Sequence, residues 1–114
     1  MDDHEKWDAV KEKCTALLSP DCKKEELALI STATEGINII INGLPLKKGD
    51  EIITSTHEHA ALNIPLLNRM QRDGIVIRPF EPDLKNGSGN VDRINKLINK
   101  RTRLIFISHV TCTT

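Results

Sequence analysis

Apolar positions in this chain switch repeatedly between a helical period and short uninterrupted runs. Trp7, Val10, Cys14, Leu17 and Leu18 share one helical face, which Ser19-Pro20 ends. After the charged stretch DCKKEE, LALI at 27–30 is an apolar run of strand length. Ile37, Ile40, Ile41 and Leu44 return to helical spacing. Their β-branching favours a strand, but Thr32 with Glu35 three residues on forms a capping box, and Asn42-Gly43 supplies a stop, so the segment is predicted helical.

The alternation continues downstream. A KKGD turn leads into the strand EIITST at 51–56, a helix from about Ala60 to Arg72 closed by Asp73-Gly74, and the strand IVIRPF at 75–80. Pro65 predicts a kink or a late start in that helix, because proline has no N–H to give the ladder. PDLKNGSGN at 82–90 is turn-rich, and its GSG lacks the strand-to-helix context of a nucleotide fingerprint. Val91, Ile94, Leu97 and Ile98 mark another helix, and RLIFISHV at 103–110 reads as a fully buried strand. Four strands separated by helices imply an α/β fold with a mainly parallel sheet and right-handed crossovers.

Composition narrows the class. The chain has 114 residues, 39% of them hydrophobic, which is enough for one domain with a modest core. Its formal net charge of zero offers no global field for nucleic acid or an anionic membrane. The acidic start MDDHEKWD has no signal-like apolar stretch, and no run approaches the roughly 20 apolar residues of a membrane span. Cys14, Cys22 and Cys112 have no CxxC spacing, which fits reduced thiols in a cytoplasmic protein, with Cys14 on the apolar stripe of a core. Lys96, Lys100, Arg101 and Arg103 cluster where a helix ends, as cations complementing its dipole.

Candidate chemistry concentrates at one edge. In an open parallel sheet the ligand crevice lies beyond the carboxyl ends of the strands. There this sequence places STATE, THEH and SHVTCTT, rich in hydroxyls and histidines. The opposite-end turns, LPLKKGDE and NKRTR, are ordinary solvated loops. A helix start at STATE would present free N–H groups and the positive end of a dipole to an anion such as phosphate, with Ala33 permitting close approach and Thr34 adding a hydroxyl. An imidazole at His59 could stack on a flat heterocycle. Alternatively His57, His59 and His109 could ligate a metal, although their spacing matches no strong signature.

ATEGIN, then GDEI with an EH pair and a downstream proline, then a strand ending in SHV, resembles class V of the fold-type I pyridoxal-phosphate enzymes. These include cysteine desulfurases, epimerase-like proteins and class V aminotransferases. The resemblance runs from about Trp7 to Thr114. It implies part of the large, cofactor-binding domain, a truncated three-layer sandwich, over residues 1–114. It implies pyridoxal 5'-phosphate as cofactor, with Ala33 and Thr34 at its phosphate and His59 on its pyridine ring. It also implies an amino-acid substrate and a homo-oligomer.

Cys112 falls where desulfurases commonly carry an asparagine near cofactor and substrate, which departs from the desulfurase pattern. Glu35 and Asn38 match family positions but read as a cap and a helix-surface polar residue. None of the ten lysines fits the family's Schiff-base context, so no catalytic residue is assigned and the chain reads as a fragment of a larger enzyme. In the family LALI is separated from the other strands by later ones, so here it should lack its native neighbour and be driven to associate or relocate. A non-catalytic binding or interaction module, or the three-histidine metal protein, is the alternative.

Overall fold

The computed structural model describes residues 3–111. It divides into two compact units, Met1–Ala33 and Thr34–Thr114. In the first, helix α1 spans Asp3–Leu18, and a short 3₁₀ turn covers Lys24–Glu26. Lys24 Nζ reaches Asp8 Oδ2 at 3.1 Å and Glu12 Oε1 at 3.2 Å, holding that turn on the helix. The predicted stripe is helical but not a core: no residue of α1 is buried, Trp7 is exposed and Cys14 is only half-buried.

LALI is not a strand. Leu27 is extended, yet 27–30 joins no ladder, and Leu29 and Ile30 stay exposed. Apolar character alone does not make a strand, because its backbone groups need a neighbour to bond.

From Thr34 onward the expected alternation holds. Helix α2 is Ala33–Gly43, β1 Glu51–Ser55, α3 Ala60–Asp73, β2 Val76–Phe80, α4 Ser88–Leu97 and β3 Thr102–Ile105. All three strands described are parallel, in the order β2-β1-β3. β1 is central, and every one of its residues is buried. Ile52, Leu62, Leu66, Ile75 and Ile41 form the core on one face, with Ile37, Ile77, Leu104 and Phe106 packed against it.

The helix ends follow local chemistry. Gly74 takes the left-handed conformation (φ 69°) and its N–H bonds Met70 O, as predicted for Asp73-Gly74. Gly43 has no positive φ, so α2 does not stop by glycine conformation. Its last carbonyls are instead taken by a side chain from another helix. Arg69 is buried, donates to Asn42 O and Leu44 O at 3.2 Å each, and pairs with Asp73 at 2.7 Å. α3 begins at Ala60 and continues through Pro65, so no late start occurs. The GSG of the loop opens α4, with Gly87 as its cap, three residues before the first apolar marker Val91.

β3 corrects a second expectation. RLIFISHV is neither fully buried nor a strand throughout: β3 stops at Ile105 and alternates between half-buried and exposed, and Ile107 beyond it is exposed. It pairs with β1 on one side, and full burial of a strand needs neighbours on both. Its register slips between Glu51 and Ile52, so Arg103 is an extra residue.

At the amino ends of the strands, Glu51 is buried yet satisfied. It accepts from Asn99 Nδ2 at 2.7 Å and Arg101 Nε at 2.9 Å, with Arg78 at 3.5 Å. The Asn99 hydrogen bond, aided by Arg101 and Arg78, holds its carboxyl below the ordinary 4.5 against the cost of burial. Arg101 and Arg103, read as dipole-complementing cations, thus serve carboxylates, since Arg103 lies 3.4 Å from Asp50.

Ile41→Ala, at a fully buried site, should lower stability by about 3 kcal/mol in urea unfolding. Glu51 has a depressed folded value, so its stabilisation is present above 4.5 and lost as pH falls through that folded value. The gap in urea midpoint between the chain and Glu51→Gln should therefore be level above about pH 5.5 and close as the pH falls further.

Candidate functional site

The carboxyl ends of β1 and β3 meet around one buried carboxylate. β1 ends at Ser55, whose Oγ accepts from His57 N at 3.2 Å and donates to Glu58 Oε1 at 2.6 Å. Glu58, buried, also accepts from Ser108 N at 3.1 and 3.0 Å and from Ser108 Oγ at 2.5 Å. Its own carbonyl accepts from Asn63 Nδ2 at 2.9 Å. Four short segments of sequence are thereby tied at the end of the sheet.

His59 comes next and caps α3. Its backbone is extended (φ −67°, ψ 151°), and Nδ1 accepts from Ala61 N at 3.0 Å. A ring whose Nδ1 accepts carries its neutral-form proton on Nε2, so the bond sets both the tautomer and the orientation of an exposed imidazole. His57 is engaged elsewhere: Nε2 lies 2.9 Å from Glu81 Oε1, and the Thr56 hydroxyl donates to the same carboxylate. Thr56, and then His57 and Arg93, hold the Glu81 carboxyl below its usual range against partial loss of hydration.

The two histidines of HEH therefore have different partners, and the segment carrying them lies beyond β1, with His57 in a turn. Among the described residues no group of three or more metal-ligating side chains could hold an ion. The three-histidine metal reading is thus not supported. His109 lies in a bend after β3, exposed, and lines a recess of ≈ 230 Å³ with Glu58, Phe80, Asp83, Asn90 and Ser108.

Ala33 and Thr34 are the first two residues of α2, both exposed, so Glu35 is the third residue of the helix, as the capping box requires. Asn38 Nδ2 donates to Thr34 O at 2.9 Å, a helix-surface bond. Arg69, near the end of α3, grips the carbonyls ending α2, and Ile37 and Ile41 both pack on the core shared with α3. The carboxyl ends of α2 and α3 thus adjoin. Cys112 lies outside the described residues. Glu58, Glu81 and Ser108 were not singled out from sequence. A carboxylate between two histidines at a strand end was the available signal for Glu58, but its partner Ser108 lies 50 residues away.

The family model "Aminotransferase class-V" matches residues 3–114. The chain is 36% identical over 91 residues to cysteine desulfurases of Salmonella newport (strain SL254) and Salmonella typhimurium. The chain belongs to the class-V aminotransferase family. The match covers 75% of this chain and 22% of those relatives, so the chain spans about a fifth of their length. A cysteine desulfurase from Escherichia coli superposes with a TM-score of 0.75 at 28% identity, covering 90% of this chain and 26% of that one. The cystine C–S lyase C-DES superposes with a TM-score of 0.79 at 21% identity, covering 96% of this chain and 29% of that one, a likeness of fold. In another structure of C-DES, a Lys-to-Ala mutant, glycine is covalently linked to the pyridoxal-phosphate cofactor. No helix among the described residues is long and apolar enough to cross a membrane.

His59→Ala should cost about 1 kcal/mol of stability through loss of the α3 cap, and His59→Asn should recover most of it. Thermal unfolding followed by circular dichroism at 222 nm checks both.

Proposed function

We propose that this chain forms part of the cofactor-binding region of a cysteine desulfurase-like enzyme that acts on an amino acid with pyridoxal 5'-phosphate. The supporting observation is His59: the second residue of the EH pair sits where β1 hands over to α3, its ring exposed and its orientation set by the bond to Ala61 N. The 36% identity to cysteine desulfurases supports the same reading.

The side chains present fit such a cofactor in two respects. The first turn of α2 offers the positive end of the helix dipole and the Thr34 hydroxyl to a phosphate, beside Ala33, which presents only a methyl group. The imidazole of His59, with Nδ1 satisfied within the protein, offers its face to an aromatic ring without leaving a polar atom stranded. When bound, the cofactor supplies an electron sink for the substrate, and the protein's part is to bind and orient it. Cys112, where desulfurases commonly have asparagine, would give this member a different neighbour for cofactor and substrate. Lys47 and Lys48 occupy the turn before β1, at the other end of the strands from His59. The intact assembly is proposed to be a cytoplasmic homo-oligomer.

Pyridoxamine 5'-phosphate, which cannot condense with lysines, is a clean probe. In an NMR titration, shifts should concentrate at the Thr34 and Glu35 amides and at the His59 ring. His59→Ala should weaken binding about threefold to tenfold, the worth of an aromatic stack. Dispersed shifts, or an affinity indifferent to His59, would overturn the reading.

A further inference from the structure

Glu58 occupies an unusual position: a carboxylate 7% exposed, placed one residue before His59 and bonded across 50 residues to Ser108. It takes one hydroxyl hydrogen bond from β1 and a backbone N–H plus a hydroxyl from the exit of β3. Burying a carboxylate is costly unless its lone pairs are used, and here they are. The bonds are also directional in consequence. The Ser55 and Ser108 hydroxyls can rotate to suit another partner, but the Ser108 N–H can only donate, so an acceptor is required at this place.

Two arms of the proposed site lead from this carboxylate. One is the β1–α3 turn, braced by His57 N on Ser55 Oγ and by Asn63 on the Glu58 carbonyl, and ending in the His59 cap. The other is the segment after β3, where Ser108 is followed directly by His109. β3 pairs with β1 only as far as Ile105, and Phe106 N bonds Ile53 O at 2.8 Å as the last rung. Beyond that rung, Glu58 ties the two arms through its bonds to Ser108.

We propose that Glu58 is a positioning residue that fixes the imidazole of His59 and the exit of β3 relative to each other. This rests on the cofactor reading above only for its functional consequence; the positioning itself belongs to the ligand-free chain. Glu58→Ala removes the acceptor, and Ser108→Ala removes one donor while leaving its N–H. Glu58→Gln keeps the shape and can still present an oxygen to Ser108 N, with its amide donating to a rotated hydroxyl.

The test uses the full 114-residue chain with ¹⁵N-labelled histidine. In the unaltered chain His59 should show the tautomer protonated on Nε2. Glu58→Ala should mix its tautomers, move the Ser108 amide resonance, and weaken pyridoxamine 5'-phosphate about threefold, within the worth of the stack that His59 supplies. Ser108→Ala, which barely changes volume, should do the same more weakly, which a purely volumetric role would not predict, and Glu58→Gln should restore most of the tautomer signal and affinity. If Glu58→Ala does not fold, Ser108→Ala and Glu58→Gln carry the test. An unchanged His59 tautomer and unchanged affinity in folded variants, while His59→Ala still weakens the probe, would overturn the positioning role and leave the cofactor reading standing. A probe indifferent to His59→Ala, with tautomers still mixed by Glu58→Ala, would overturn the cofactor reading and leave the positioning role standing.

Discussion

Burial of β1 on both faces is the constraint from which the second unit is built. A central parallel strand loses water along its whole length, so a carboxylate on it or beside it needs partners in the protein. Glu51 at its start and Glu58 just past its end meet this demand in the same way, each collecting donors from the β3 side of the sheet. Between them Ile52 and Ile53 are fully buried. The parallel ladder and the two carboxylates thus align β1 and β3 at both ends.

The division of labour between the two ends follows from strand direction. At the amino edge the carboxylates Glu51 and Asp50 pair with Arg101 and Arg103, and Asn99 adds a hydrogen bond to Glu51. At the carboxyl edge Glu58 is held by neutral donors, and the turn it braces presents an imidazole outward. Rigid support behind one exposed ring is what the stacking role proposed for His59 would need, since a loosely held ring would lose in ordering entropy what it gains in contact.

In three segments where expectation and structure part, the cause is the same: an element was judged by its own residues when its state depends on neighbours. LALI has strand composition but no ladder, so it remains outside the sheet. The apolar stripe of α1 has helical spacing but nothing buried. RLIFISHV is apolar enough for an interior strand, but with one paired side its outer residues stay exposed. In contrast EIITS, equally short, is buried throughout because it has partners on both sides.

Periodicity and caps were sufficient to place α2, α3, α4 and the strands between them, because each depends on spacing and end chemistry that lie within a dozen residues: the Asp73-Gly74 stop and the β-branched run of β1 are examples. The order of motifs likewise sufficed to find the family. What only the folded chain decided is pairing over long separations. That Glu58 bonds Ser108, that Arg69 caps a helix other than its own, and that His57 and His59 serve different partners all depend on which segments the sheet brings together, and no local pattern encodes a contact 25 or 50 residues away.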